Sequence, residues 1–154
     1  MDLDPALRSL IADLGAQMGL GDLALDDHGS LALSFDDSLV VNLQALADDD
    51  LLLLYADLGP PAAGERIYPA LLRGNLFWRA TLGATLSLTG DEPPHVVLAQ
   101  ETRWRGQDLG AMVAFLERFL HTAEDWLEVV HDGGDAGLEP SSLTASDHAI
   151  GLRV

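Results

Sequence analysis

The sequence predicts an α+β fold, in which three helices flank a twisted, mostly antiparallel sheet in the order α-β-β-β-β-α-β-β-α. Apolar residues recur at helical spacing near both ends of the chain and once in the middle. Between these segments, apolar and polar residues alternate over short runs that Asp- and Gly-rich turns separate. Short runs joined by tight turns are typical of an antiparallel meander and not of parallel βαβ units.

The first helix is predicted to begin at Asp4, because a carboxylate there can cap the helix and Pro5 fits its first turn without losing a needed N–H. The apolar residues that follow at helical spacing are Leu7, Leu10, Ile11, Leu14 and Met18. Gly19 and Gly21 are expected to end the helix.

Four strands are predicted next. An alternating pattern marks strands at Leu23–Leu25, Leu31–Phe35 and Leu39–Leu43. The unbroken apolar run LLLLYADL, which begins at Leu51, predicts a central strand that is buried on both faces. A buried helix is the alternative for this run, but neither a cap nor a helical period supports it.

A proline-rich loop leads to a second predicted helix, from Glu65 to about Phe77, because proline bars regular structure ahead of it. Two further strands are predicted at Thr85–Thr89 and His95–Glu101. Asp108 is expected to cap a long third helix, since a broad apolar stripe follows it at helical spacing.

Length and composition favour one domain. The chain has 154 residues, of which 48% are hydrophobic, so it is too apolar to be disordered. Residues 1–131 are predicted to form the domain, and the turn-rich residues 132–154 a flexible tail. The net charge of -17 argues against nucleic acids and anionic membranes as partners. The sequence has no Cys, no signal peptide and no run long enough to cross a bilayer.

Catalytic signatures such as HExxH or GxSxG do not occur in the sequence. The third helix carries His121, Glu124, Glu128 and His131, and the last two form a Glu-x-x-His pair of the kind found in di-iron bundles. The first two helices offer no matching carboxylates, so the polar face of an amphipathic helix is the favoured interpretation. We expect no catalytic residues, metal site or cofactor, and keep a small metal-dependent enzyme or metal-binding domain that uses these four residues as an alternative.

Leu76, Phe77 and Trp78 stand side by side near the end of the second predicted helix. Adjacent residues of a helix point in different directions, so one helix cannot bury all three against one core. Either the helix ends here or one of its faces meets something outside the domain.

Four stretches of the chain, taken in order, resemble the class I type III secretion chaperones, the family of small acidic proteins related to the Tir chaperone (CesT-like). These stretches are LGAQMGLGDLALDDHGSLALSFDD, LLLLYADLG, LLRGNLFWRATLGATLSL and LGAMVAFLERFLHTAEDWLE. The resemblance covers about Leu7 to Glu128. The chain departs from it beyond Val130, and the segment after Asn75 is bulkier than the family pattern.

The resemblance implies a homodimer in the bacterial cytosol that has no enzymatic activity and needs no cofactor. Its partner would be a secreted effector protein, whose N-terminal segment it would hold extended and deliver to the secretion machine. The alternative is a domain of the same fold that binds a regulator or a folded partner protein.

The resemblance also suggests two surfaces. The residues expected to bind the client are Leu7, Leu10, Ile11, Leu14, Leu23, Leu31, Leu33 and Phe35. The residues expected at the two-fold contact of the homodimer are Leu72, Leu76, Phe77 and Trp78. For Trp78 the alternative is that its side chain folds back under the strand Thr85–Thr89.

Overall fold

The computed structural model describes residues 2–46 and 50–133. The helices are α1 (Pro5–Met18), α2 (Tyr68–Gly74) and α3 (Leu109–Asp132), and the strands are β1 (Ser30–Phe35), β2 (Leu39–Leu46), β3 (Leu51–Asp57), β4 (Thr85–Leu88) and β5 (Val96–Arg103). Every strand pairing is antiparallel, in the order β1-β2-β3-β5-β4. The predicted α+β class is therefore confirmed.

One face of the sheet forms the core. Leu33 pairs with Val41, Val41 with Ala56, Ala56 with Leu98, and Leu98 with Leu86, so these five residues form a row across all five strands. Directly paired residues of antiparallel strands share a face of the sheet. All five are buried, because the helices pack on this side.

The predicted helix starts at Asp4 and Asp108 are confirmed. The carboxylate of Asp4 accepts a hydrogen bond from the backbone N–H of Ala6 at 2.8 Å, and that of Asp108 accepts one from Ala111 at 2.8 Å. Each bond satisfies a backbone donor that the first turn of a helix leaves unpaired. The N-terminal ends of α1 and α3 are thus defined by local sequence.

The strand predicted at Leu23–Leu25 is wrong, and the sheet has five strands where the sequence pattern predicted six. This segment is irregular and packs against α1. A Cβ atom added to Gly15 of α1 would lie 2.7 Å from Cγ of Leu23 and 2.5 Å from the carbonyl oxygen of Gly21. The alternating leucines therefore cover a helix and not a sheet.

The second predicted helix is also interrupted. A 3₁₀ turn at Gly64–Ile67 precedes α2, and a second one at Leu76–Trp78 follows it, with Phe77 at a φ of 55°. The proline at position 69 suits the first turn of α2, where its missing N–H is not needed.

The third helix runs through Asp132 and ends at Gly133, which has a left-handed φ of 84°. The rest of the segment predicted as a tail, residues 134–154, lies outside the described residues.

Candidate functional site

Four of the eight residues predicted to bind a client lie inside the core of the chain. Leu7, Ile11, Leu14 and Leu33 are each exposed by 6% or less. The three on α1 follow each other at helical spacing, so they form the stripe that this helix buries in the core, where it packs beside α3. These four side chains support the surface from below and do not reach it.

The other four predicted residues are half-buried: Leu10, Leu23, Leu31 and Phe35. We refer to these four as the α1–β1 surface. Leu31 pairs with Leu43 and Phe35 with Leu39, so both lie on the helix-covered face of the sheet. They remain partly exposed because β1 is an edge strand.

The outer edge of β1 pairs with no strand of the described sheet. Edge strands present backbone N–H and C=O groups that a further strand can use. A turn fixes the start of this edge, since the carboxylate of Asp26 accepts backbone hydrogen bonds from His28 at 2.8 Å and Ser30 at 2.9 Å. Both bonds lower the pKa of Asp26 below its usual value, and the bond from Ser30 has the larger effect. The N–H of Asp26 also donates to the carbonyl of Ser30 at 2.9 Å, so both backbone groups of Ser30 are occupied and the open part of this edge begins after it.

A second apolar surface lies at α2 and β4. It contains five of the six large apolar side chains that are exposed in the described residues, namely Leu72, Phe77, Trp78, Leu82 and Leu88. We refer to these five as the α2–β4 patch. Leu76, which was predicted with them, is half-buried. Sequence reasoning missed Leu82 and Leu88, although their position next to a short strand at the edge of the sheet was a usable signal.

Local geometry turns the aromatic residues of this patch outward. The side chain of Asn75 donates a hydrogen bond to the carbonyl of Leu86 at 2.9 Å and accepts one from its N–H at 2.8 Å, which ties the end of α2 to β4. Phe77 and Trp78 both have positive φ values, near 55°, which are uncommon for bulky residues. Strained turns of this kind cluster at functional sites.

The side chain of Trp78 contacts β4 and is also exposed. Its indole N–H donates a hydrogen bond to the hydroxyl of Thr85 at 3.2 Å, so the ring does reach back to β4. The side chain nevertheless remains 55% exposed. Much of its apolar surface is therefore available to a second molecule.

The residues considered as metal ligands, His121, Glu124, Glu128 and His131, all lie on α3. His121 and Glu124 approach to 3.6 Å as neighbours on one helix face. Within residues 2–46 and 50–133, no group of three or more His, Cys, Asp or Glu side chains is arranged to hold a metal ion. No helix in these ranges is long and apolar enough to cross a membrane.

The chain matches the model of one protein family over most of its length. The model of the Tir chaperone protein (CesT) family matches residues 9–127, and the chain belongs to this family. This agrees with the resemblance in the four sequence stretches.

Two relatives are similar in sequence. The chain is 38% identical over 79 residues to the transcriptional anti-antiactivator ExsC of Pseudomonas aeruginosa, a match that spans 51% of the chain and 54% of ExsC. It thus covers only about half the length of that relative. A protein of Chlamydia pneumoniae is 33% identical over 126 residues, which cover 79% of the chain and 93% of that protein.

Two of the solved structures of similar fold are complexes. A chain of the ExsC–ExsE complex has a TM-score of 0.72 and 28% identity, covering 89% of this chain and all of that one. A chain of the HopA1–SchA chaperone–effector complex has a TM-score of 0.66 and 20% identity, over 84% and 98% of the two chains. The second likeness concerns the fold alone.

Proposed function

We propose that this protein is a cytosolic type III secretion chaperone. It binds the N-terminal segment of a secreted effector, keeps that segment extended and soluble, and delivers it for secretion. The observation that carries the proposal is the α1–β1 surface, where half-exposed apolar side chains lie beside an unpaired strand edge. An extended peptide can add a strand to such an edge and insert alternate side chains into the apolar surface.

The chemistry of this function needs no cofactor and no catalytic residue. Binding uses main-chain hydrogen bonds along β1 and burial of apolar side chains on Leu10, Leu31 and Phe35. The net charge of -17 keeps the protein soluble while apolar surface is exposed.

The functional unit that we propose is a homodimer. Exposed apolar patches of this kind on a monomer mark interaction sites. The α2–β4 patch is compact in sequence, running from Leu72 in α2 to Leu88 in β4, and its other three members lie in the 3₁₀ turn and the loop between these two elements. A two-fold axis through it would bury the same five side chains on both copies.

A pull-down of the tagged protein from its native bacterium, followed by limited proteolysis, tests the chaperone function. We expect to recover a larger protein that is protected over a stretch near its N-terminus. The double variant Leu31→Ser/Phe35→Ser should lose this protein, because it removes the two large half-buried apolar side chains of β1. Val40→Ser removes an exposed apolar side chain from the other face of the sheet and should retain it. Circular dichroism checks that both variants fold.

A regulatory partner is the second candidate function. It is favoured by the relative ExsC, which is a transcriptional anti-antiactivator. In the same experiment, recovery of a small folded regulator that is protected along its whole length would support this candidate. Recovery of neither kind of protein from cells with active secretion would contradict both.

A further inference from the structure

A cleft of about 500 Å³ opens between the α2 region and the C-terminal end of α3. Arg66 and Arg73 line it on the α2 side, and His131 and Asp132 line it on the α3 side. The loop before α2 is held to α3 by a hydrogen bond from the N–H of Ala62 to the carbonyl of Val130 at 3.0 Å. The two walls of the cleft are therefore fixed relative to each other.

The two arginines of this cleft have few internal partners. Arg66 donates one long hydrogen bond, from Nε to the carbonyl of Ala63 at 3.4 Å. The guanidinium of Arg73 makes no hydrogen bond or ion pair with another described residue. By contrast, Arg105 is held by Asp4 at 2.6 Å and by Asp50 at 2.8 Å. Two of the eight basic residues of this acidic protein thus line one cleft. Their guanidinium groups keep N–H donors that no hydrogen bond to a described residue uses.

The spacing of the two arginines defines what they can bind. They are seven residues apart along a 3₁₀ turn and the helix that follows, which corresponds to a separation of roughly 10–12 Å between their Cα atoms. Carboxylates two to four residues apart on an extended peptide are about 7–13 Å apart. Guanidinium groups bind carboxylates through paired hydrogen bonds. A peptide with spaced acidic residues fits this arrangement better than one small anion.

We propose that this cleft binds an acidic, extended segment of a partner protein, with Arg66 and Arg73 each taking one carboxylate. The side chains of Pro69 and Ala70 line the cleft between them and can contact the small residues of the segment, above the buried side chain of Ile67. Asp132 opposes the segment and limits its affinity. The site is separate from the α1–β1 surface, so it does not depend on how a client binds there.

Binding of a fluorescein-labelled 12-residue peptide, with Glu at every fourth position and Ser or Gly elsewhere so that it does not favour a helix, tests the proposal on the full chain. Fluorescence anisotropy should detect binding of this peptide. It should detect no binding of the same peptide with Gln in place of each Glu. The net charge of -17 repels an acidic peptide, so only a local basic site can produce binding. R66Q/R73Q should weaken binding by about fivefold or more, since it removes both charge-assisted contacts. R8Q, a matched change at an exposed arginine of α1, should not.

A second variant moves the affinity in the opposite direction. D132N removes the acid of the cleft and should strengthen binding about twofold, whereas D125N, at an exposed acid of α3 that does not line the cleft, should leave it unchanged. The proposal would be overturned if the full chain did not bind the peptide at low salt, or if R8Q lost as much affinity for the peptide as R66Q/R73Q. If D135N/E139Q bound the labelled peptide several-fold more tightly than the parent, the chain's own C-terminal segment would be the competing occupant of the cleft. That result would overturn the assignment to a partner.

Discussion

At the scale of single residues, the docking of α2 depends on Gly74. A Cβ atom at this position would lie 2.4 Å from Cη2 and 2.6 Å from Cζ2 of Trp126, which is too close for any real contact. Trp126 is only 2% exposed and its indole N–H donates to the carbonyl of Ala80 at 3.1 Å, so the ring has little freedom to move. The absence of a side chain at Gly74 lets α2 approach α3.

Gly74→Ala is expected to destabilise the protein by about 1–3 kcal/mol, because it overpacks a filled core. Thermal unfolding monitored by circular dichroism measures the change. Gly90→Ala is the matched control, since a Cβ atom there meets nothing within 4 Å. If both variants melt at the temperature of the parent, the contact between α2 and Trp126 is looser than described.

At the scale of elements, Arg105 joins the start of α1 to the connection between β2 and β3. Its guanidinium pairs with Asp4, the cap of α1, and with Asp50, and it stacks on the ring of Trp104 at 4.5 Å. The pKa of Asp4 lies below its ordinary value of 3.8. The hydrogen bond from Arg105 is the main cause, and the hydrogen bond from Ala6 is the second. A carboxylate with a lowered pKa stabilises the fold above that value, and the effect is lost as the pH falls through the pKa of the folded state.

Asp4→Asn is therefore expected to lower the Tm slightly at pH 7, because Asn still caps α1 but no longer pairs with Arg105 as an anion. The difference from the parent should begin to shrink as the pH falls below 3.8 and should vanish once the pH is below the lowered pKa of Asp4 in the folded state. Asp108→Asn, which changes the cap of α3 and leaves Arg105 alone, should have a Tm at pH 7 close to that of the parent. A difference for Asp4→Asn that is constant from pH 7 to pH 2 would contradict the role of the ion pair.

Elements with a local signature were predictable from the sequence, and those shaped by distant contacts were not. The cap at Asp108 and the apolar stripe after it predicted the start of α3 correctly. The segment Leu23–Leu25 has the alternation of a strand, but it packs on Gly15, which no local pattern reveals. The end of α2 is likewise determined by the bonds between Asn75 and Leu86, eleven residues away.

The candidate surfaces, like the elements, combine features that a local pattern predicts with features that depend on distant contacts. Helical spacing identified the apolar residues of α1, but it could not separate Leu10, which is half-buried, from Leu7 and Ile11, which are in the core. That difference depends on how α1 packs against the rest of the core, which includes α3. The crowding of Phe77 and Trp78, by contrast, was a local signal of exposure, and the structure leaves both of these side chains exposed.

At the scale of the whole molecule, the two apolar surfaces lie toward opposite edges of one sheet. The α1–β1 surface adjoins the edge strand β1, and the α2–β4 patch adjoins the edge strand β4. Three strands separate these edges, so one edge can meet a second copy while the other stays open to a client. In such a dimer, the two client surfaces would lie on its outer sides, where one extended segment can wrap around both.

Phe77→Ser/Trp78→Ser is expected to convert the dimer that we propose to a monomer, because it removes the two aromatic side chains of the α2–β4 patch while leaving the core intact. Light scattering of the parent should give a mass near twice 16.4 kDa, and that of the variant a mass near 16.4 kDa at the same concentration. Leu31→Ser/Phe35→Ser, which alters the other edge, should remain dimeric. A folded double variant at Phe77 and Trp78 that keeps the dimer mass would move the two-fold contact elsewhere, and a parent that is already monomeric would leave the α2–β4 patch to a different partner.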